Sequence, residues 1–350
     1  MGDAARAHSA SLAHPTDYAY ALAEARLQPR GTTPASTQTR LRMLNRAMLL
    51  CPRCVGAHDE AARELWRLGR RKQSLLEWKT VVTESRGSLG GVLNGLLAAS
   101  ATPEELSTLA DNENRFDISR YLLAHGAIDA AKATLNQTAN QEGAELYLVQ
   151  AQIALAAKDM PAAKKASQRA LELEPRNARA VLMAADIALL SPSGTDEAMT
   201  ILQAGLRFAP SDVELNRKVL GLLMQTEKWQ AIDHALGGFR AALAEAGAPS
   251  TEANIAAAHI FEKRGQWRRA MSEYQAALAH APDNLGLRLA LAHAAEEIGG
   301  ISSAVDAYSD VLRRDPANQE ARSALARIQV DKKMLEVNSI SPPRPGAEDR

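Results

Sequence analysis

The chain has 350 residues, 46% of them hydrophobic and only 4% aromatic, with 41 Lys and Arg against 41 Asp and Glu for a net charge of zero. That balance removes the global case for binding nucleic acid or a membrane surface, and no stretch reaches the ~18 uninterrupted apolar residues a membrane-spanning helix needs. Ala, Leu, Glu, Lys, Arg and Gln dominate while alternating β-branched and aromatic residues are nearly absent, so the composition predicts an almost wholly helical protein.

In chain order, residues 1–16 lack the apolar core of an export signal. They read as a flexible N-terminal segment. Residues 17–140 read as irregular helical repeats. Within them, 17–51 predict a helix pair interrupted by "QPRGTTPAST", and 53–85 predict a second pair. Residues 88–138 predict two short pairs, with Thr102 capping a helix that starts at Pro103. Residues 1–86 also carry 14 Lys and Arg against 8 Asp and Glu, centred on "RELWRLGRRKQ". That string reads as a solvated helix face or as a patch for an acidic partner or anionic lipid. Residues 141–334 read as a regular array closed by a helix from about 318 to 334, whose outer face "RIQVDKK" is polar. The unit at 211–249 runs five residues long, which leaves its register open around "EKWQAIDHALGGF". The tail 335–350 is polar and Pro-rich and reads as disordered.

A fixed period organises the array. "GQWRRAMSEYQAALAHAPDN" begins at residue 265 and "GGISSAVDAYSDVLRRDPAN" begins 34 residues later. Pro52, Pro175, Pro210, Pro282 and Pro316 each follow an apolar helix, where a residue without an N–H ends one helix and starts the next. Gly69, Gly126, Gly265 and Gly299 mark a second break, where a left-handed backbone closes a helix. Each unit therefore reads as helix, tight turn, helix, Pro-marked turn. Small residues recur where two helices would touch: Ala62, Ala151, Ala185, Ala258 and Ala292 in the first helices, and Ala163, Ala198, Ala270, Ala304, Ala170 and Ala277 in the second. Large rings recur as Trp78, Tyr274 and Tyr308 in the second helix and as Phe261 in the first.

This pattern resembles the tetratricopeptide repeat family. The resemblance implies an all-α fold, a right-handed α-solenoid of antiparallel helix pairs, here roughly nine of them plus a C-terminal capping helix. It also implies a concave groove lined by the residue after each small slot and the residue three before it. The first set is Arg63, Gln152, Asp186, His259 and His293; the second is Asp59, Leu148, Leu182, Ile255 and Leu289. The groove residues expected in the main array are therefore Leu148, Gln152, Leu182, Asp186, Ile255, His259, Leu289 and His293. An apolar ladder beside a polar one suits a bound peptide; the alternative is that the first is core and the second plain wet surface. His259 and His293 occupy equivalent slots and could pair across the groove or serve as ordinary surface residues. Grooves of this family that clamp a C-terminal carboxylate use Lys, Arg and Asn at such places, so that ligand is not expected here. "LNRAMLLCP" and "LGRRKQSLLEWKTV" are also similar to soluble repeat regions that follow bacterial O-antigen polymerase or ligase-like membrane proteins.

Chemistry-bearing motifs are sparse. No Gly-Lys-Ser/Thr phosphate loop, His-Glu-x-x-His helix or Gly-x-Ser-x-Gly elbow occurs. "CPRC" at 51–54 with His58 offers three readings: ordinary turn cysteines, a dithiol that forms a reversible disulfide, or a three-ligand metal site lacking a fourth ligand. Cys51 and Cys54 are thus a candidate dithiol. Catalytic residues, metal and cofactor are not expected. The expected function is a non-enzymatic scaffold for a protein or peptide partner, with no nucleic acid and no direct membrane insertion. The alternative is an accessory domain of a bacterial cell-envelope or polysaccharide system. The expected location is the cytoplasm, or the periplasm or a membrane surface if an upstream segment exists.

Overall fold

The computed structural model describes residues 3–28, 34–85, 87, 89–136 and 143–339. Among the described residues there are twenty helices and no strand. They divide into two compact units, residues 1–175 and 176–350. The division falls inside the stretch that the sequence reads as one array from 141 to 334.

The first unit opens with α1 (Asp3–Ala13) and α2 (Tyr18–Leu27). The expectation of a flexible segment over 1–16 is corrected here. The Ala-rich string "DAARAHSASLA" is a good helix former, and His8 Nδ1 lies 2.6 Å from Oε1 of the buried Glu24 on α2. Next come α3 (Pro34–Leu50), α4 (Val55–Arg67) and α5 (Arg71–Glu84). α2 packs on α3, and α4 on α5. Arg40 of α3 is 2% exposed, and its guanidinium donates to the Ala25 carbonyl at 2.5 Å and to Glu60 at 2.9 Å. Glu64, equally buried, lies 3.3 Å from Arg40 Nε. A charge so buried persists only when paired, and this cluster pins the end of α2 to α3 and α4.

The four helices expected at 88–138 are present, as α6 (Leu89–Ala98), α7 (Pro103–Ser107), α8 (Arg115–Ala124) and α9 (Ile128–Asn136). Only the second of the two expected pairs forms: α8 packs on α9, while the short α7 packs on α8 and α9 instead of on α6. Thr102 caps α7 in a reciprocal capping box with Glu105, and Pro103 occupies the first turn. The unit closes with α10 (Ala144–Ala156) and α11 (Met160–Leu173). Its larger core runs through Trp78, Val82, Leu93, Leu106, Ile118 and Val149.

The second unit stacks four pairs in sequence: α12 (Ala178–Leu189) with α13 (Gly194–Phe208), α14 (Val213–Gln225) with α15 (Trp229–Glu245), α16 (Thr251–Lys263) with α17 (Trp267–His280), and α18 (Leu285–Glu297) with α19 (Ile301–Arg314). α20 (Gln319–Ser339) packs on α19 as the closing helix and runs five residues past its expected end at 334. The tail expected to be disordered lies, from residue 340 on, outside the described residues.

The small slots explain how the pairs close. Ala62, Ala151, Ala185, Ala258 and Ala292 are each 0% exposed, as are Ala163, Ala198, Ala270, Ala304, Ala170 and Ala277. Side chains this small let two helix axes approach to ~8 Å. Trp78, Tyr274 and Tyr308 fill the space beside them and are buried. The tight turns use φ of +74°, +76°, +68° and +76° at Gly69, Gly126, Gly265 and Gly299. Turns between successive pairs of the second unit are closed by caps: Asn284 Oδ1 accepts from Leu287 N–H at 3.1 Å, and Asn318 Oδ1 accepts from Ala321 N–H at 3.0 Å. One structural period thus repeats the sequence period, and each unit is built as an α-solenoid.

Candidate binding clefts

In the first unit a cleft of about 540 Å³ opens between α4 and α6, over a floor from α5. Its α4 wall carries Val55, Asp59 and Arg63, residues one helical turn apart on one face. Trp78 and Val81 form the floor, and Gly91, Gly95 and Ala99 form the opposite side. A Cβ built on Gly91 or Gly95 would meet nothing within 4 Å, so the backbone of α6 lies bare toward open space. Arg63 Nε donates to both oxygens of Asp59 at 3.1 and 3.0 Å, and its guanidinium lies 5.4 Å from the Trp78 ring centre. The Asp59 carboxylate holds the Arg63 guanidinium above its ordinary value. Trp66 edges the cleft, donates its Nε1–H to the Ala99 carbonyl at 3.2 Å, and is covered by Arg71 at 3.9 Å.

The basic string around this cleft is largely neutralised by its own neighbours. Arg67 pairs with Glu64 at 2.5 Å and Arg71 with Glu105 at 2.6 Å, beside the Arg63 and Asp59 pair. These contacts fit the reading of a solvated, locally paired helix face.

In the second unit a cleft of about 440 Å³ lies between α12 and α14. It brings together Leu182 and Asp186, both expected from the sequence, with Arg217, Lys218 and Gly221. Lys218 Nζ lies 2.5 Å from Asp186. Arg217 grips Glu252 of α16 through two bonds of 2.5 and 2.8 Å and also contacts Glu214. The rim is charged but internally paired, while Leu182, Leu189 and Leu222 supply apolar lining.

The other expected residues fall differently. Leu148 is 1% exposed and belongs to the core, because α10 is packed by α8 and α9 as well as by α11. Gln152 is half-buried, and its side-chain oxygen finds no hydrogen-bond partner among the described residues. Ile255 and Leu289 are half-buried and lean on the cores of their own pairs. His259 and His293 are exposed, and each rests edge-on against a different ring of α17. His259 is 6.0 Å from Tyr274 and His293 is 5.4 Å from Trp267. His293 Nε2 also lies 3.7 Å from Glu297.

The sequence reading missed Trp66 and, on α6, Gly91 and Gly95. A signal was available: glycine inside a helix costs about 1 kcal/mol relative to alanine, so Gly91 and Gly95, one turn apart, mark a face kept clear of side chains. Cys51 and Cys54 are joined by a disulfide. Neither thiolate is therefore free to hold a metal, and no cluster of three or more His, Cys, Asp or Glu suited to a metal occurs among the described residues. No helix among them is long and apolar enough to cross a membrane.

Stacked helical hairpins with clefts between successive first helices define a helical-repeat protein. The tetratricopeptide repeat family model matches residues 261–328, from the end of α16 into α20. That segment includes the duplicated strings that carried the resemblance. No curated protein matches the chain. Among solved structures, pilF of Pseudomonas aeruginosa is 16% identical, covering 64% of this chain and 99% of that one at a TM-score of 0.46. PilW, described as a widely conserved type IV pilus biogenesis factor, is 15% identical over 62% and 100% of the two chains at 0.46. YrrB, described as a TPR protein with an unusual peptide-binding site, is 18% identical over 53% and 94% at 0.43.

Proposed function

We propose that the protein is a non-enzymatic interaction scaffold that holds an extended peptide or protein segment on the faces of its first helices. The observation that carries this reading is the cleft at Leu182 and Asp186. An apolar floor of half-buried leucines beside hydrogen-bonding groups offers a pocket for a side chain and partners for a backbone. Its rim charges already have counter-ions in Asp186, Glu214 and Glu252, so the cleft favours a mixed polar and apolar segment over a bare anion. Ile255, His259, Leu289 and His293 continue the half-buried and exposed alternation along α16 and α18. The cleft over Trp78 supplies a comparable site in the first unit.

A photo-crosslinking amino acid at exposed Asp186 should capture a partner segment in cells, and one at exposed Gln203 on the second helix of the same pair should not. Equal capture at both positions would refute a cleft-centred function.

A second reading is an accessory region of a bacterial envelope or polysaccharide system. The Cys51–Cys54 disulfide favours it, because disulfides persist chiefly in oxidising compartments. Fractionation of the native host cell, with the thiol state of the pair measured in each fraction, separates the two readings.

A further inference from the structure

The disulfide occupies the short loop between α3 and α4, with the two Cα atoms 5.4 Å apart. Its sulfurs belong to residues at opposite helix ends. Cys51 follows the last residue of α3 and donates its N–H to the Ala47 carbonyl at 3.0 Å. Cys54 is the N-cap of α4, and its side chain makes no capping bond. A helix C-terminus carries partial negative charge and an N-terminus partial positive charge. A thiolate is therefore disfavoured at Cys51 and favoured at Cys54.

The loop is also held open to solvent. His58, 8% exposed and one turn into α4, sets Nε2 3.0 Å from the Pro52 carbonyl and Nδ1 2.6 Å from Glu77 of α5. Arg53 extends outward to Glu84 at 2.7 Å. Pro52 and Arg53 are exposed, and both cysteines are partly so. An external thiol can therefore reach the bridge while buried His58 anchors the loop that carries it.

We propose that Cys51–Cys54 is a redox-active pair that exchanges with an external dithiol, with Cys51 Sγ the atom attacked and Cys54 Sγ the leaving group. The incoming thiolate bonds to Cys51 Sγ as the bond between the two cysteines breaks. Cys54 departs as a thiolate and takes a proton from water. The second thiolate of the reductant then attacks the reductant's own sulfur in the mixed disulfide. This releases Cys51 as a thiolate, which is protonated in turn. The reductant gives up two electrons and two protons and becomes a disulfide, and the protein pair gains both. The polarity follows because a lower-pKa thiol leaves faster.

Two measurements on the full chain test this. Excess dithiothreitol should reduce the pair while circular dichroism shows the helices intact, and oxidised glutathione should restore it. Brief exposure to reduced glutathione, quenched by alkylation, should place glutathione on Cys51 and the alkyl group on Cys54, several-fold over the reverse pattern. A bridge that resists dithiothreitol in the folded protein, or thiols that do not re-oxidise, would overturn the redox role. Glutathione found equally or mainly on Cys54 would overturn the assigned polarity.

Discussion

A Cβ built on Gly205 would lie 2.6 Å from Cγ1 of Val181, closer than real contacts allow, because α13 and α12 touch at that point. Gly205 stands where Ala170 and Ala277 stand in other pairs, so this contact is tighter still. Gly205→Ala is predicted to destabilise the protein by about 1–3 kcal/mol, as overpacking does, with partial recovery on adding Val181→Ala. Denaturant unfolding of both variants checks this; a Gly205→Ala protein as stable as the parent would show that the pair can part freely. Tyr274 and Tyr308 give a pH-dependent test. Burial pushes both phenols above the ordinary 10.0, with Glu262 and Glu296 adding to the shift. In the unfolded chain these phenols ionise as pH rises through about 10, while in the fold they keep their protons. The unfolded state then binds fewer protons, so stability falls with pH above about 10, and no such fall is expected below it. Tyr308→Phe should flatten the fall, measured by urea unfolding across that range; an unchanged slope would contradict it. The alanine slots and the rings were legible in the sequence because they recur at one period. The Arg40 cluster was not, since Arg40 on α3 draws its partners from α2 and α4 and no period links them.

The turn within a pair is the element where sequence and structure diverge most instructively. Gly265 and Gly299 supply a left-handed residue, but Lys158 and Glu227 adopt the same conformation at φ of +60° and +52°. Left-handed backbone costs a residue with a Cβ roughly 1–2 kcal/mol, partly offset by the entropy a glycine loses on folding. Lys158→Gly is therefore predicted to raise stability by a few tenths to about 1 kcal/mol, and Gly265→Ala to lower it by about 1 kcal/mol. Thermal unfolding of the two variants decides; shifts of the opposite sign would mean that the turns are governed by other contacts. Glu227 also accounts for the open register at 211–249, since no glycine marked the break there. The extra length of that unit lies largely in α15, which has 17 residues against 14 in α17 and α19. Leu148 shows the limit of reading by equivalence. It holds the same slot as half-buried Leu182, yet the short helices α8 and α9 cover its helix. Sequence period fixes which face a residue takes, but neighbouring pairs decide whether that face is open.

At the scale of the whole molecule, each compact unit carries its own core and its own cleft, the first opening between α4 and α6 over a floor from α5 and the second lined by α12 and α14 alone. The two clefts differ in chemistry. The first pairs tryptophan rings with bare glycine backbone, and the second pairs leucines with a closed set of ion pairs. The helical class and the 34-residue stacking were plain in the sequence, whereas the clefts depend on which side chains are missing from a face. The most direct test is selection from a displayed random-peptide library, run on the parent protein and on Leu182→Asp after matching their thermal unfolding. The account predicts peptides with an apolar anchor that bind the parent and are lost, at least about tenfold in affinity, in Leu182→Asp, the scale set by burying one charge in an apolar pocket. Recovery of the same peptides with the same affinity on the variant would contradict it.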